Sequence, residues 1–124
     1  MREILFRGKI TQDKWAYGFY ENVKLDEATI HYVDGKIVSS KTIGQFTGLT
    51  DKNGKKIFEG DIINIYWKDN LLTMGDIRYD ENMCRFVVAE DFTYPYAFDN
   101  STPFEVIGNI HDNPELLTGQ NEKP

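Results

Sequence analysis

Residues 45–63, Gln-Phe-Thr-Gly-Leu-Thr-Asp-Lys-Asn-Gly-Lys-Lys-Ile-Phe-Glu-Gly-Asp-Ile-Ile, restrict what the chain can fold into more than any other stretch. A turn sequence, Asp51-Lys52-Asn53-Gly54-Lys55, lies between two runs rich in apolar residues, and that pattern predicts a β-hairpin. Two geometries compete. A two-residue type I′ turn at Asn53-Gly54 sets Lys52 opposite Lys55, and like charges directly across a ladder are unfavourable. A type I turn with Gly54 in the left-handed region sets Asp51 opposite Lys55, and Asp is favoured at the first turn position. The second geometry is expected. Gly60 then interrupts the strand before Asp61, and the chain re-enters a sheet at Ile62-Ile63. A calcium loop is a poor fit. Asp51-x-Asn53-Gly54 matches only the opening of an EF-hand, without the later acidic ligand, the glycine at its proper place or flanking helices, and Lys55 and Lys56 would repel the cation.

The remaining chain reads as strand after strand. Trp15-Ala16-Tyr17-Gly18-Phe19 alternates large and small side chains. Ile30 to Val33 and Lys36 to Val38 flank Asp34-Gly35, a strong hairpin signal. Asp61 to Trp67 places Ile63, Ile65 and Trp67 on one face; Lys68-Asp69-Asn70 turns the chain, and Leu71 to Tyr79 follows with Gly75 as an expected bulge. Asp80-Glu81-Asn82 is a further turn, Met83 to Ala89 returns, and Phe104 to Ile110 is the last expected strand. Only Asn113-Pro114-Glu115-Leu116-Leu117 has helical signals, with Asn113 as cap and Pro114 at the first helical position. Eight Phe, seven Tyr and two Trp suit a pleated sheet. A chain of 124 residues suits one domain, expected over residues 1–118, followed by a flexible tail over 119–124.

Charge is distributed unevenly. Residues 1–79 carry 12 basic and 11 acidic side chains; residues 80–124 carry 2 and 9. The acidic part would be repelled by a phosphate backbone, so no duplex nucleic acid is expected as a partner. Cys84 is the single cysteine and fits a reducing compartment. The charged N-terminus lacks the apolar region of a signal peptide, and no apolar run approaches a membrane helix, so the expected location is the cytoplasm and no membrane partner is expected.

No catalytic motif stands out. His31 and His111 have no metal-ligand neighbours at a recognised spacing. Cys84, beside Phe86 in an alternating run, is expected to be a buried, inert thiol. Ser39, Ser40 and Ser101 lack a nucleophile elbow, and there is neither a phosphate loop nor a dinucleotide fingerprint. No catalytic residue, metal ligand or cofactor is assigned. Two stretches carry a candidate contact role. Phe92, Tyr94, Tyr96 and Phe98 recur at alternate positions among acids, a composition suited to a protein contact, against the plainer reading of a strand or loop lying on the core. Lys52, Lys55 and Lys56 form a basic hairpin tip, either solvated or aimed at an acidic or phosphate group.

Several segments together resemble one family. Phe6-Arg7-Gly8-Lys9, Trp15 with Tyr17-Gly18, the long block from Ile43 to Ile63, and Glu105-Val106-Ile107-Gly108-Asn109-Ile110-His111-Asp112-Asn113-Pro114-Glu115-Leu116-Leu117 resemble the YopX family, small proteins encoded by bacterial phages and prophages. The resemblance spans about residues 2 to 117. It implies a mainly β, antiparallel fold of SH3-type, barrel-like strands with hairpins and a short C-terminal helical turn. It supplies no activity and no catalytic residue to carry over. The expectation is a non-enzymatic protein-binding or assembly module, its partner a phage or host protein or a second copy of the chain. The alternatives are a small barrel binding single-stranded nucleic acid and an enzyme with an unrecognised site.

Overall fold

The computed structural model describes residues 3–68, 70–82, 84–89, 96–97 and 103–117. It is mainly β, antiparallel and hairpin-connected, with a short helical turn over 115–117 and a single 3-10 turn, Ser40–Thr42, among the described residues. The strands are β1 (Phe6–Thr11), β2 (Lys14–Gly18), β3 (Tyr20–Leu25), β4 (Ala28–Val33), β5 (Lys36–Ile37), β6 (Gly44–Thr50), β7 (Lys56–Phe58), β8 (Asp61–Trp67), β9 (Asn70–Asp80), β10 (Arg85–Ala89), β11 (Tyr96–Ala97) and β12 (Phe104–Asn109). The chain divides into two compact units, residues 1–48 and 49–124, and the tail expected over 119–124 lies outside the described residues.

In the first unit, β1 pairs with β2 and β6. Alternate residues of a strand face opposite ways, and cross-strand partners share a face. Phe6, Gly8 and Ile10 therefore share one face with Ala16, and this face meets the apolar cluster of Ala16, Val33 and Val38. Arg7, Lys9, Trp15 and Tyr17 occupy the opposite face, where the Arg7 guanidinium lies 4.5 Å and the Lys9 ammonium 5.5 Å from the Trp15 ring centre. A second sheet in this unit has the order β3-β4-β5. Its β4–β5 turn has φ of 55° at Asp34 and 73° at Gly35, the double left-handed geometry that Asp-Gly favours.

In the second unit, β8, β9, β10 and β11 form a meander, and β12 returns beside β8. Ile63, Ile65, Ile77, Val88 and Phe104 share the inner face with Ile57 from β7, all nearly fully buried. Each such Ile contributes about 2 kcal/mol through its removal from water.

The Asp51–Lys55 turn has the expected second geometry. The Gly54 N–H donates to the Asp51 carbonyl at 2.9 Å, Gly54 has φ of 84°, and the Asp51 N–H donates to the Lys55 carbonyl at 2.8 Å. Gly60 is held on both sides: its N–H donates to Ile77 and its carbonyl accepts from Ile110, each at 2.9 Å. The Asp61 carboxylate closes the preceding turn by accepting from the Phe58 N–H at 2.8 Å.

Two local expectations are corrected. Gly75 is not a bulge: Ile62 to Ile65 pair with Asp76 to Thr73 without interruption, and the irregularity falls between Ile65 and Tyr66. A glycine is needed at 75 because an added Cβ would lie 2.4 Å from the Ala89 carbonyl oxygen. Cys84 is exposed rather than buried. It precedes β10 with φ of 53° and its thiol points to the Glu81 carbonyl at 3.5 Å. The turn extends one residue further than the alternation suggests, which lifts the thiol off the sheet.

Candidate protein-binding face

The sheet β3-β4-β5 is apolar on its outer side. Tyr20, Asn22 and Lys24 of β3 share the inner side with Val33, His31 and Thr29 of β4, and Tyr20 and Val33 enter the core there. The inner side then turns polar. The Tyr20 hydroxyl and His31 Nδ1 are hydrogen-bonded at 2.6 Å, and Asn22 Nδ2 donates to the same hydroxyl at 3.3 Å. On the outer side, Val23 lies beside Ile30, Leu25 beside Ala28, and Tyr32 beside both Glu21 and Ile37. Val23, Leu25 and Ile37 are 45%, 50% and 60% exposed, and Phe19, just before β3, is 77% exposed. Asn22, Lys24 and Thr29 on the other side are exposed as well, so beyond Tyr20 and Val33 both sides of these strands meet water while the apolar residues keep to one of them. Contiguous exposed apolar side chains of this kind mark interaction surfaces.

Lys52, Lys55 and Lys56 of the predicted basic tip are all exposed, on a turn that is anchored to the rest of its unit. The Asp51 carboxylate accepts from the backbone N–H of Asn53 at 2.8 Å, of Lys55 at 2.9 Å and of Val106 at 3.0 Å. The Lys52 N–H donates to the Phe104 carbonyl at 2.9 Å, so the turn is fastened to β12. Burial pushes the Asp51 carboxyl up, but the N–H groups of Val106, Lys55 and Asn53 and the Lys55 charge outweigh it and hold the carboxyl below its ordinary range. The Lys52 ammonium sits 4.4 Å from the Tyr66 ring centre, and the Tyr66 hydroxyl donates to Glu105 at 2.8 Å. The carboxylate that a cation would need is committed to backbone donors.

Of the predicted aromatic contact, Phe92, Tyr94 and Phe98 lie outside the described residues. Tyr96 is described through its backbone, which pairs with Val88. Elsewhere, Asp76 is buried and accepts from Arg78 Nε at 2.8 Å; the Asp76 hydrogen bond raises the Arg78 pKa further. Arg7 and Lys9 flank Trp15 as a nucleic-acid platform would, yet they are 5% and 9% exposed and offer little to a ligand. Among the described residues no helix is long and apolar enough to cross a membrane.

Sequence reasoning missed Val23, Leu25, Ile30 and Ile37 as a surface. The alternation at Glu21-Asn22-Val23-Lys24-Leu25 and at Ala28-Thr29-Ile30-His31-Tyr32 shows that the apolar residues of each run share a side, but it carries no mark of their exposure.

A family model described as YopX protein matches residues 3–118. Among solved structures, the crystal structure of protein EF1440 from Enterococcus faecalis is similar, with a TM-score of 0.53 and 24% identity over 94% of this chain and 99% of that one. That likeness concerns the fold. No curated protein matches the chain.

Proposed function

The chain belongs to the YopX family, and on that premise we propose that it is a non-enzymatic protein-binding module of phage or prophage origin, acting in the bacterial cytoplasm through the outer face of β3-β4-β5. The observation that carries this reading is the exposure of Val23, Leu25 and Ile37 on one sheet face whose reverse side holds the polar residues. Leaving such side chains in water gives up the 1.5–3 kcal/mol that burying each would contribute, roughly, so a surface of this kind is explained by a partner that covers it. Aromatic residues near the patch, Phe19 and Tyr32, are of the type that dominates interface energetics. In the second unit, the meander β8-β9-β10-β11 with β12 beside β8 supports reading it as the SH3-type barrel that the family resemblance implies.

The reading is tested by retrieving partners from bacterial lysate with the wild type and with a Leu25→Ser, Ile37→Ser double variant. The variant is expected to lose proteins that the wild type retains. Identical sets from both would remove this face as the contact.

A further inference from the structure

Building on the reading of this sheet as a docking surface, we propose that its occupant is a second copy of the chain, with the two β3 strands paired edge to edge, antiparallel, about a two-fold axis at Val23. The edge is available. Among the described residues, β3 is the outer strand of its sheet, and all of its residues except Tyr20 are exposed. It pairs with β4 over six consecutive residues without a register shift. Sheet edges that must stay single are usually blunted by proline, a bulge or an excess of charge. Tyr20–Leu25 has no proline and no bulge, and its two charges, Glu21 and Lys24, cancel.

Symmetry restricts the register. Antiparallel neighbours directly opposite one another share a face, so a two-fold axis must pass through a residue rather than between two. An axis at Asn22 would set Glu21 beside Val23 of the partner subunit and two polar Asn22 side chains on the axis, with Leu25 opposite Phe19 of the partner subunit, a residue that lies before β3 rather than in it. An axis at Val23 sets Val23 beside Val23 of the partner subunit, a favourable β-branched pair. It also sets Lys24 beside the partner's Asn22 and Glu21 beside the partner's Leu25, so no like charges are directly opposed. The outer apolar face then runs continuously through six strands. Charge favours a second copy over a partner chosen by charge: residues 1–48 carry seven basic and six acidic side chains, whereas residues 49–124 carry seven and fourteen. A strongly basic partner would be steered to the second unit; two copies meet through the first at surfaces that are close to neutral.

One paired edge is a small interface, so the association is expected to be weak. Sedimentation velocity on the full chain up to about 0.5 mM, well above the Kd of a weak contact, should show a reversible dimer. Val23→Lys and Val23→Glu should each weaken dimerisation at least tenfold, because like charges then face each other on the axis. An equimolar mixture of the two should restore it. In a Cys84→Ser background, Val23→Cys should oxidise to a disulfide-linked dimer, since opposed strand positions fall within disulfide reach, and Leu25→Cys should not. A wild type that stays monomeric at about 0.5 mM overturns the proposal while leaving the docking face open to other proteins. A dimer unaffected by either charged variant overturns it as well. A mixture that stays monomeric overturns the Val23 register.

Discussion

Asp51 organises its turn because one carboxylate serves three backbone donors from two elements, Asn53 and Lys55 within the turn and Val106 on β12. An amide at this position keeps one acceptor oxygen but turns donors toward a second N–H. Asp51→Asn is therefore expected to lower stability by about 2 kcal/mol, as for loss of a hydrogen bond to a charged acceptor, measured by urea unfolding at neutral pH. The pH dependence follows from the same bonds. The folded carboxyl titrates below its ordinary value of 3.8, so its contribution is fully present above that value and is lost as pH falls through the lower folded value. Wild-type unfolding free energy should thus fall more steeply below about pH 4 than that of Asp51→Asn. Two glycines separate steric from conformational cost. Gly54 has open space around its Cβ position but φ of 84°, so Gly54→Ala should cost about 1 kcal/mol. Gly75→Ala drives a methyl into the Ala89 carbonyl and should cost more, about 3 kcal/mol, by the same measurement.

Elements whose one face is buried were readable as elements. β8 carries Ile63 and Ile65, and β12 carries Phe104 and Val106, at alternate positions, and Asp34-Gly35 and Asp51–Lys55 fix their hairpins through turn chemistry that depends on few neighbours. The docking face was not readable. Alternation in β3 and β4 shows that apolar residues share a side, but not how far the rest of the chain covers the sheet, and here it covers only the end at Tyr20 and Val33 and leaves Val23 and Leu25 exposed. Cys84 was misplaced for a related reason: a left-handed residue at the end of a turn leaves no mark in the apolar pattern. The exposed apolar face makes a direct prediction. Leu25→Ser with Ile37→Ser, both at least half exposed, should change unfolding free energy by less than about 1 kcal/mol, since surface substitutions away from special features do little. Ile63→Ala, at a fully buried position, should cost about 3 kcal/mol. Comparable losses from both would mean that Leu25 and Ile37 are needed by the fold rather than by a partner.

At the scale of the molecule, the uneven charge distinguishes the kinds of association open to it. A net charge of −6 arises almost wholly from residues 49–124, while residues 1–48 are close to neutral. Contacts that use the acidic part would depend on attraction between unlike charges and weaken as salt screens them. Binding to a nucleic-acid strand would fall more steeply still, because each neutralised phosphate releases a counterion. Pairing through β3 and its apolar face depends on backbone hydrogen bonds and on removing Val23 and Leu25 from water, neither of which salt screens. Raising salt from about 0.05 M to about 0.5 M shortens the screening length several-fold and also suppresses the general repulsion between two acidic chains. The dimer constant from sedimentation should accordingly stay level or tighten across that range. A tenfold weakening would instead assign the contact to charged groups, and so to a surface other than the β3 edge.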